Sequence, residues 1–192
     1  NNASLINGAL YFWTHNTAIT QSGSFYVYNS DDYAVYTLIG GTGTMAAPST
    51  GGFGAIPDGK IAAGQSFFVG SKAVGSFEFN NSMRVSASGS NSQFFKMAKV
   101  KNLTNTEKSR VWLSLTNSQG AFKQLLVGYI KGATNEMDNL YDGISFGGNK
   151  YVDFYSVNNG EILTIQGRGL PFLLTDKVPL GFKTTIDGTF EI

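Results

Sequence analysis

Asp138 and Asp142, with Asn135 and Glu136 close by, collect oxygen-bearing side chains in one polar segment, the kind of loop from which calcium takes its ligands. The spacing of an EF-hand is absent. Asp and Asn also stabilise turns by bonding their own backbone, so a turn is the expectation here and no metal ligand is assigned. Gly54, Gly59 and Lys60 have the spacing of a phosphate-binding loop, which needs successive backbone N–H groups and a lysine. Ile61 stands where the magnesium-holding Ser or Thr belongs, Pro57 removes an N–H, and a strand rather than a helix is expected next. Gly41, Gly43 and Ala46 imitate a dinucleotide fingerprint, but Pro48 interrupts it and no helix follows. No cofactor is expected.

A Ser-His-Asp site needs a histidine oriented by a carboxylate and a serine on a strained turn. His15 is the sole histidine, and the chain has no Gly-x-Ser-x-Gly elbow. Two carboxylates at a set separation suffice for glycoside hydrolysis. With 13 Asp and Glu in the chain some such pair is inevitable, and nothing marks one out. Zero cysteines exclude disulfides, thiolate metal sites and a cysteine nucleophile. No catalytic residue is assigned.

The aromatic residues are the remaining chemistry. Tyr11, Trp13, Tyr26, Tyr28, Tyr33 and Tyr36 combine apolar faces with polar tips, and Trp13, Tyr26 and Tyr28 form a candidate platform for sugar rings. The same side chains pack well inside sheets, which is the plainer reading. The formal net charge of +1 and the scattering of the 14 Lys and Arg argue against nucleic acid. Lys96, Lys99 and Lys101 are the nearest approach to a basic cluster and read as a lysine-protected strand edge. No apolar run reaches the roughly 18–20 residues of a membrane helix, so membrane insertion is not expected.

Strands must hold these residues. Charged residues are 14 %, against about 25 % in an average domain, and 24 glycines imply many turns. The densest pattern lies in residues 61–85, where 65–69 and 76–79 read as a hairpin at the centre of the sheet, with Phe77 and Phe79 on one face. Further strands are expected at 9–13, 25–28 paired with 33–38, 83–85, 93–97, 109–116, 121–130, 151–157 paired with 161–166, and 189–192. In 109–116 Val111, Leu113 and Leu115 share a face and should be buried together. Residues 121–130 are apolar on both faces and should be covered on both. Residues 40–60 read as a long glycine-rich loop, and only 135–141 could form a turn or two of helix. The strand spacing, without crossover helices, predicts one domain over 1–192, all-β, an antiparallel β-sandwich of jelly-roll type.

Gly64, Gln65, Phe67, Phe68 and Val69, followed by Phe79, Asn81, Ser82, Met83 and Arg84, match a Gly-Gln-x-Phe-Phe-Val and Phe-x-Asn-Ser-Met-Arg pattern. In order come Tyr11-Phe-Trp-Thr, Asp32-Tyr-Ala, Arg110-Val-Trp-Leu, Leu126-Val-Gly-Tyr-Ile, Gly132-Ala-Thr-Asn, Asp138 with Tyr141-Asp-Gly, Ile165-Gln-Gly-Arg, Leu170-Pro-Phe and Val178-Pro-Leu-Gly-Phe. Over nearly its whole length the chain thus resembles a β-rich domain of large secreted and cell-surface proteins of the Bacteroidetes, the one preceding the C-terminal sorting domain of type IX secretion cargo. The resemblance implies export and brings no catalytic set. The chain lacks the Gly-Asn-Pro-Tyr-Pro stretch with which such domains begin and opens Asn-Asn without methionine, so it reads as a piece of something longer. The strand at 189–192 then reads as a seam between modules.

Physically, Gly64 permits a turn, Gln65 can satisfy backbone groups between strands, and Phe67, Phe68, Phe77 and Phe79 supply apolar area. Arg84, between Met83 and Val85, is expected to point away from their face and to tie carbonyls or a carboxylate together. The expectation is a non-catalytic extracellular or cell-surface module acting in adhesion, assembly or display, its partners being neighbouring domains or further copies of the chain. Carbohydrate binding, with glycans as partners, is the second reading and a glycan-active hydrolase the third.

Overall fold

A strand that is apolar on both faces must be covered on both, and this requirement shapes the architecture. The computed structural model describes residues 2–14, 20–27, 33–43, 56–86, 108–146 and 151–192. Its strands run β1 (Ile6–Trp13), β2 (Thr20–Ser22), β3 (Phe25–Val27), β4 (Tyr33–Tyr36), β5 (Gly41–Thr42), β6 (Phe67–Ser71), β7 (Lys108–Asn117), β8 (Phe122–Ile130), β9 (Gly143–Ile144), β10 (Val152–Asn158), β11 (Glu161–Gly169), β12 (Leu180–Thr184) and β13 (Phe190–Glu191). The fold is all-β and sandwich-like, as expected. One sheet has the order β5-β4-β1-β6, and a larger one the order β12-β10-β11-β8-β7-β13 with β9 beside β11; β2 and β3 form a separate ribbon.

On β8, Leu126 and Ile130 face the smaller sheet and join Ala9, Tyr11, Val35, Ile39 and Ile165 in one buried cluster. Leu125, Val127 and Tyr129 face the other way and join Leu115, Ala121, Val152 and Phe154, where Val178, Ile186 and Phe190 pack as well. Both faces of β8 are therefore covered, one by the smaller sheet and one by the C-terminal part of the chain. Gly128 on β8 and Gly167 on β11 stand opposite each other, and Ile39 fills the space above them: a Cβ at Gly128 would lie 2.4 Å from Ile39 Cγ2.

Several expectations need correction. Within the all-β sandwich, one strand pair, β8 and β11, is parallel, a detail the local patterns did not carry. Residues 65–69 do not lead into a hairpin: β6 pairs with β1 at the edge of the smaller sheet, and 76–79 carry no strand. The side-chain amide of Asn2 takes the place of a strand there, its Nδ2 donating to Glu78 O at 2.9 Å and its Oδ1 accepting from Glu78 N at 2.9 Å. Phe77 and Phe79 are consequently exposed. Strand β3 pairs with β2, and β4 with β1, rather than with each other. Residues 81–83 form a 3-10 turn capped by Asn80, so no strand starts at Met83. Residues 135–141 make turns, and β5 lies within 40–60. Leu115 is buried, Leu113 half-buried, and Val111 is 54 % exposed, so that row is buried at one end only. The expected strand at 93–97, with Lys96, Lys99 and Lys101, lies outside the described residues, as do His15 and Tyr28.

Candidate functional site

Where β6 and β1 meet β9, four aromatic rings come together. Tyr11 and Phe68 are register partners across the β1–β6 pair. Phe146, just past β9, sits 4.8 Å from the Tyr11 ring, 5.2 Å from Tyr33 and 6.2 Å from Phe68, nearly parallel to the last at 22°. Tyr33 meets Phe68 edge-on at 5.5 Å. Tyr11 is buried, whereas Phe68 is 55 % and Phe146 42 % exposed. Tyr11, Phe68 and Phe146, with Asn7, Val69, Gly70, Ile144 and Ser145, line a shallow depression of about 260 Å³. The Tyr11 hydroxyl donates to Ile144 O at 2.9 Å, and burial pushes its pKa up to about 12. It therefore stays protonated at neutral pH and acts as a strut between the sheets rather than as an acid or base.

The carboxylates closest to the core are committed to structure. Asp142 lies immediately before β9, and its side chain continues that strand's pairing with β11: Oδ1 accepts from Gly167 N and Oδ2 from Asp138 N, each at 2.6 Å. Burial raises its pKa to about 6, although both backbone bonds pull it down. Asp138 in turn accepts from Thr134 N. The two aspartates thus fold the 134–142 segment onto β11 as a turn, and no group of three or more His, Cys, Asp or Glu among the described residues could hold a metal ion. Asp176 receives Arg168 Nε and Tyr129 Oη, both at 2.7 Å, together with Arg168 Nη2. Burial alone would raise the Asp176 carboxyl, but the bonds from Arg168 and Tyr129 together hold it below the usual range. A glycosidase pair needs both carboxylates facing a cleft. Asp142 and Asp176 instead face backbone N–H groups and a buried guanidinium.

The other sequence-derived positions fall as follows. Trp13 ends β1, half-buried and paired with Tyr33, while Tyr26 is exposed on the β2–β3 ribbon, in a different sheet. Gly64 has φ +78 in the turn closed by Gln65 N donating to Ala62 O at 3.0 Å. Among the described residues, Gln65 Nε2 donates to the neighbouring Ser66 O at 3.4 Å and to no other strand. Phe67 is half-buried and 6.1 Å from the Phe12 ring; Phe68 faces the depression.

Arg84 follows the 3-10 turn as its extended C-cap, with φ -77 and ψ 137. Met83, Arg84 and Val85 are all among the residues that line a second, wider groove of about 650 Å³ with Gly59, Lys60, Ile61 and Ala63. Phe146 and Asn80 are the residues that sequence reasoning missed. Asn80 carried a legible signal, since Asn followed two residues on by Ser caps short turns, here through Oδ1 accepting from Ser82 N at 3.1 Å. Phe146 lies beyond the end of a two-residue strand and carried none.

No curated protein and no solved structure matches the chain. The profile of one family does match, over residues 1–192, and by that match the chain belongs to the family described as Domain of unknown function (DUF8693).

Proposed function

We propose that the chain is a non-catalytic β-sandwich module of a secreted or cell-surface protein, working through contact with neighbouring domains or further copies of itself. The observation that carries this reading is the solvent-facing pair Phe68 and Phe146 packed with Tyr11 and Tyr33, in a depression whose described lining includes no carboxylate. Exposed contiguous apolar area on a folded domain marks an interaction surface. The resemblance to domains that precede the sorting region of type IX secretion cargo supports the extracellular placement. Adhesion, assembly and display all use such a surface.

The test pairs Phe68→Ser with Phe146→Ser in the parent protein. Both residues are half-exposed, so the fold should survive, while association with flanking domains or other copies, read by sedimentation velocity, should weaken. Unchanged association would sink the contact reading. Turnover in a glycosidase and esterase panel that vanishes on changing one Asp or Glu would sink the non-catalytic one. A second reading, carbohydrate binding, draws on the exposed Phe68 ring beside Asn7, a flat apolar face next to a hydrogen-bonding amide. It requires oligosaccharide binding by calorimetry that Phe68→Ala abolishes.

A further inference from the structure

The wider groove, lined by residues of 59–63 on one side and 83–85 on the other, does not share a lining residue with the aromatic depression. Its walls combine two chemistries. Ile61, Met83 and Val85 present apolar side chains that are exposed to solvent, and among the described residues Lys60 and Arg84 are its charged lining residues, both cationic. Lys60 Nζ lies 3.6 Å from an Asp58 carboxylate oxygen, so part of its charge is already answered. The Arg84 guanidinium makes no hydrogen bond or ion pair with the described residues. Arginine offers five donors in a planar fork that matches a carboxylate. An unpaired fork flanked by Met83 and Val85 therefore has the donors for an anion and the apolar surface for whatever carries it.

The backbone explains how a cation and two apolar side chains reach the same groove. Asn80 caps the 3-10 turn through Ser82 N, and Arg84 N donates back to Asn81 O at 3.1 Å, closing the turn. The turn ends at Met83, and the extended Arg84 and Val85 carry the chain along the groove that all three residues line. On the far wall, Asp58 Oδ1 accepts from Lys60 N at 3.0 Å and Gly59 has φ +89, a tight bend that presents Lys60 and Ile61 to the groove.

We propose that this groove binds a short peptide segment carrying a carboxylate side chain between apolar ones, with Arg84 as the anchor, Lys60 as the weaker second cation, and Ile61, Met83 and Val85 taking the flanking side chains. The charge of the lining selects the acidic residue, and the apolar walls select its neighbours. The volume lies within the 300–1,000 Å³ common for ligand sites, and the groove opens to solvent, which suits an extended chain more than an enclosed small molecule.

Nuclear magnetic resonance on the 15N-labelled protein tests this with acetyl-leucyl-aspartyl-leucinamide, its asparaginyl counterpart and inorganic phosphate. The aspartyl peptide should shift the amides of Ile61, Met83, Arg84 and Val85 saturably, with Kd of about 0.1–1 mM, the strength of one charge contact with modest apolar burial. The asparaginyl peptide should bind at least about tenfold more weakly, as should the aspartyl peptide to Arg84→Gln, whereas Lys60→Gln should weaken it about two- to threefold. Phe68→Ser should leave the affinity unchanged, which separates this site from the aromatic one. Equal binding of the asparaginyl peptide, indifference to Arg84→Gln, or no saturable shift by about 10 mM would each overturn the proposal. Phosphate shifting the same amides as tightly as the peptide would reduce the groove to a plain anion site and overturn the peptide assignment.

Discussion

Replacing Asp176 by Ala should remove the clamp that holds residues 170–178 onto the large sheet. Arg168 is 7 % exposed, and its Nε and Nη2 both donate to the Asp176 carboxylate, to which Tyr129 adds a third bond at 2.7 Å. Without the carboxylate, a buried guanidinium and a phenol lose their acceptor together. Breaking a buried pair by removing one partner costs about 3–5 kcal/mol. For a domain of 192 residues, at about 2.1 cal/mol/K per residue, the melting temperature should fall by roughly 7–12 °C. Tyr129→Phe keeps the edge-on contact with the Phe172 ring at 4.9 Å and loses one bond to a charged group, about 1.5–3 kcal/mol. Arg168→Met combined with Asp176→Leu should recover most of the loss, because the penalty comes from an orphaned charge and not from missing attraction. Urea denaturation followed by near-ultraviolet circular dichroism gives each free energy, and a thermal scan gives the melting temperatures. If Asp176→Ala melts within about 2 °C of the parent, or if the double variant is as unstable as the single one, the orphaned-charge argument is wrong.

Asp142 should make stability fall as pH rises from about 4 to 7, because its folded pKa of about 6 lies above its ordinary value of 3.8. The contribution is complete below the unfolded pKa and lost through the folded one, about 3 kcal/mol in all, and Asp142→Asn should flatten that part of a urea-midpoint profile. An Asp142-dependent rise over the same range would refute the sign. Asp176 acts oppositely: its lowered pKa gives stability above the ordinary carboxylate range that is lost as pH falls below it, so Asp176→Asn should blunt the acid limb of the same profile. Gly128→Ala should cost about 1–3 kcal/mol, since the new methyl meets Ile39 Cγ2 at 2.4 Å, and should cost less when Ile39→Ala has made room. In chemical denaturation Leu115→Ala should cost about 2–5 kcal/mol, Leu113→Ala about 2, and the exposed Val111→Ala within about 0.5.

Local chemistry was legible in the sequence where a turn and a period agree. The 151–157 and 161–166 hairpin forms as β10 and β11, and Asn159 and Gly160 both take positive φ, as a tight type I′ turn requires. The alternation of 109–116 appears as β7, and the two-sided apolar run as β8. The same rule failed at 76–79, because alternation reports which residues share a face and says nothing about whether a strand is there to pair. Asn2, distant in sequence, supplies that pairing with a side chain. The parallel contact between β8 and β11 is likewise invisible to a local pattern, since its only sequence trace is a glycine in each strand, Gly128 and Gly167.

The site residues divide along the same line. Phe68 was identifiable by type, but its role depends on Phe146, which reaches it only because β9 pairs with β11 and the Tyr11 hydroxyl ties Ile144 to β1. A reader of the sequence sees two phenylalanines separated by a β-sheet's worth of chain. Asp138 and Asp142 were visible as an acidic pair, and the deciding fact was the direction in which the Asp142 oxygens point. Both point at N–H groups, one of them on β11 in a strand that arrives 25 residues later. Each Asp142 oxygen accepts one backbone N–H, so the acidic pair that the sequence displays as a loop acts in the structure as a splice that carries the β9 pairing on along β11.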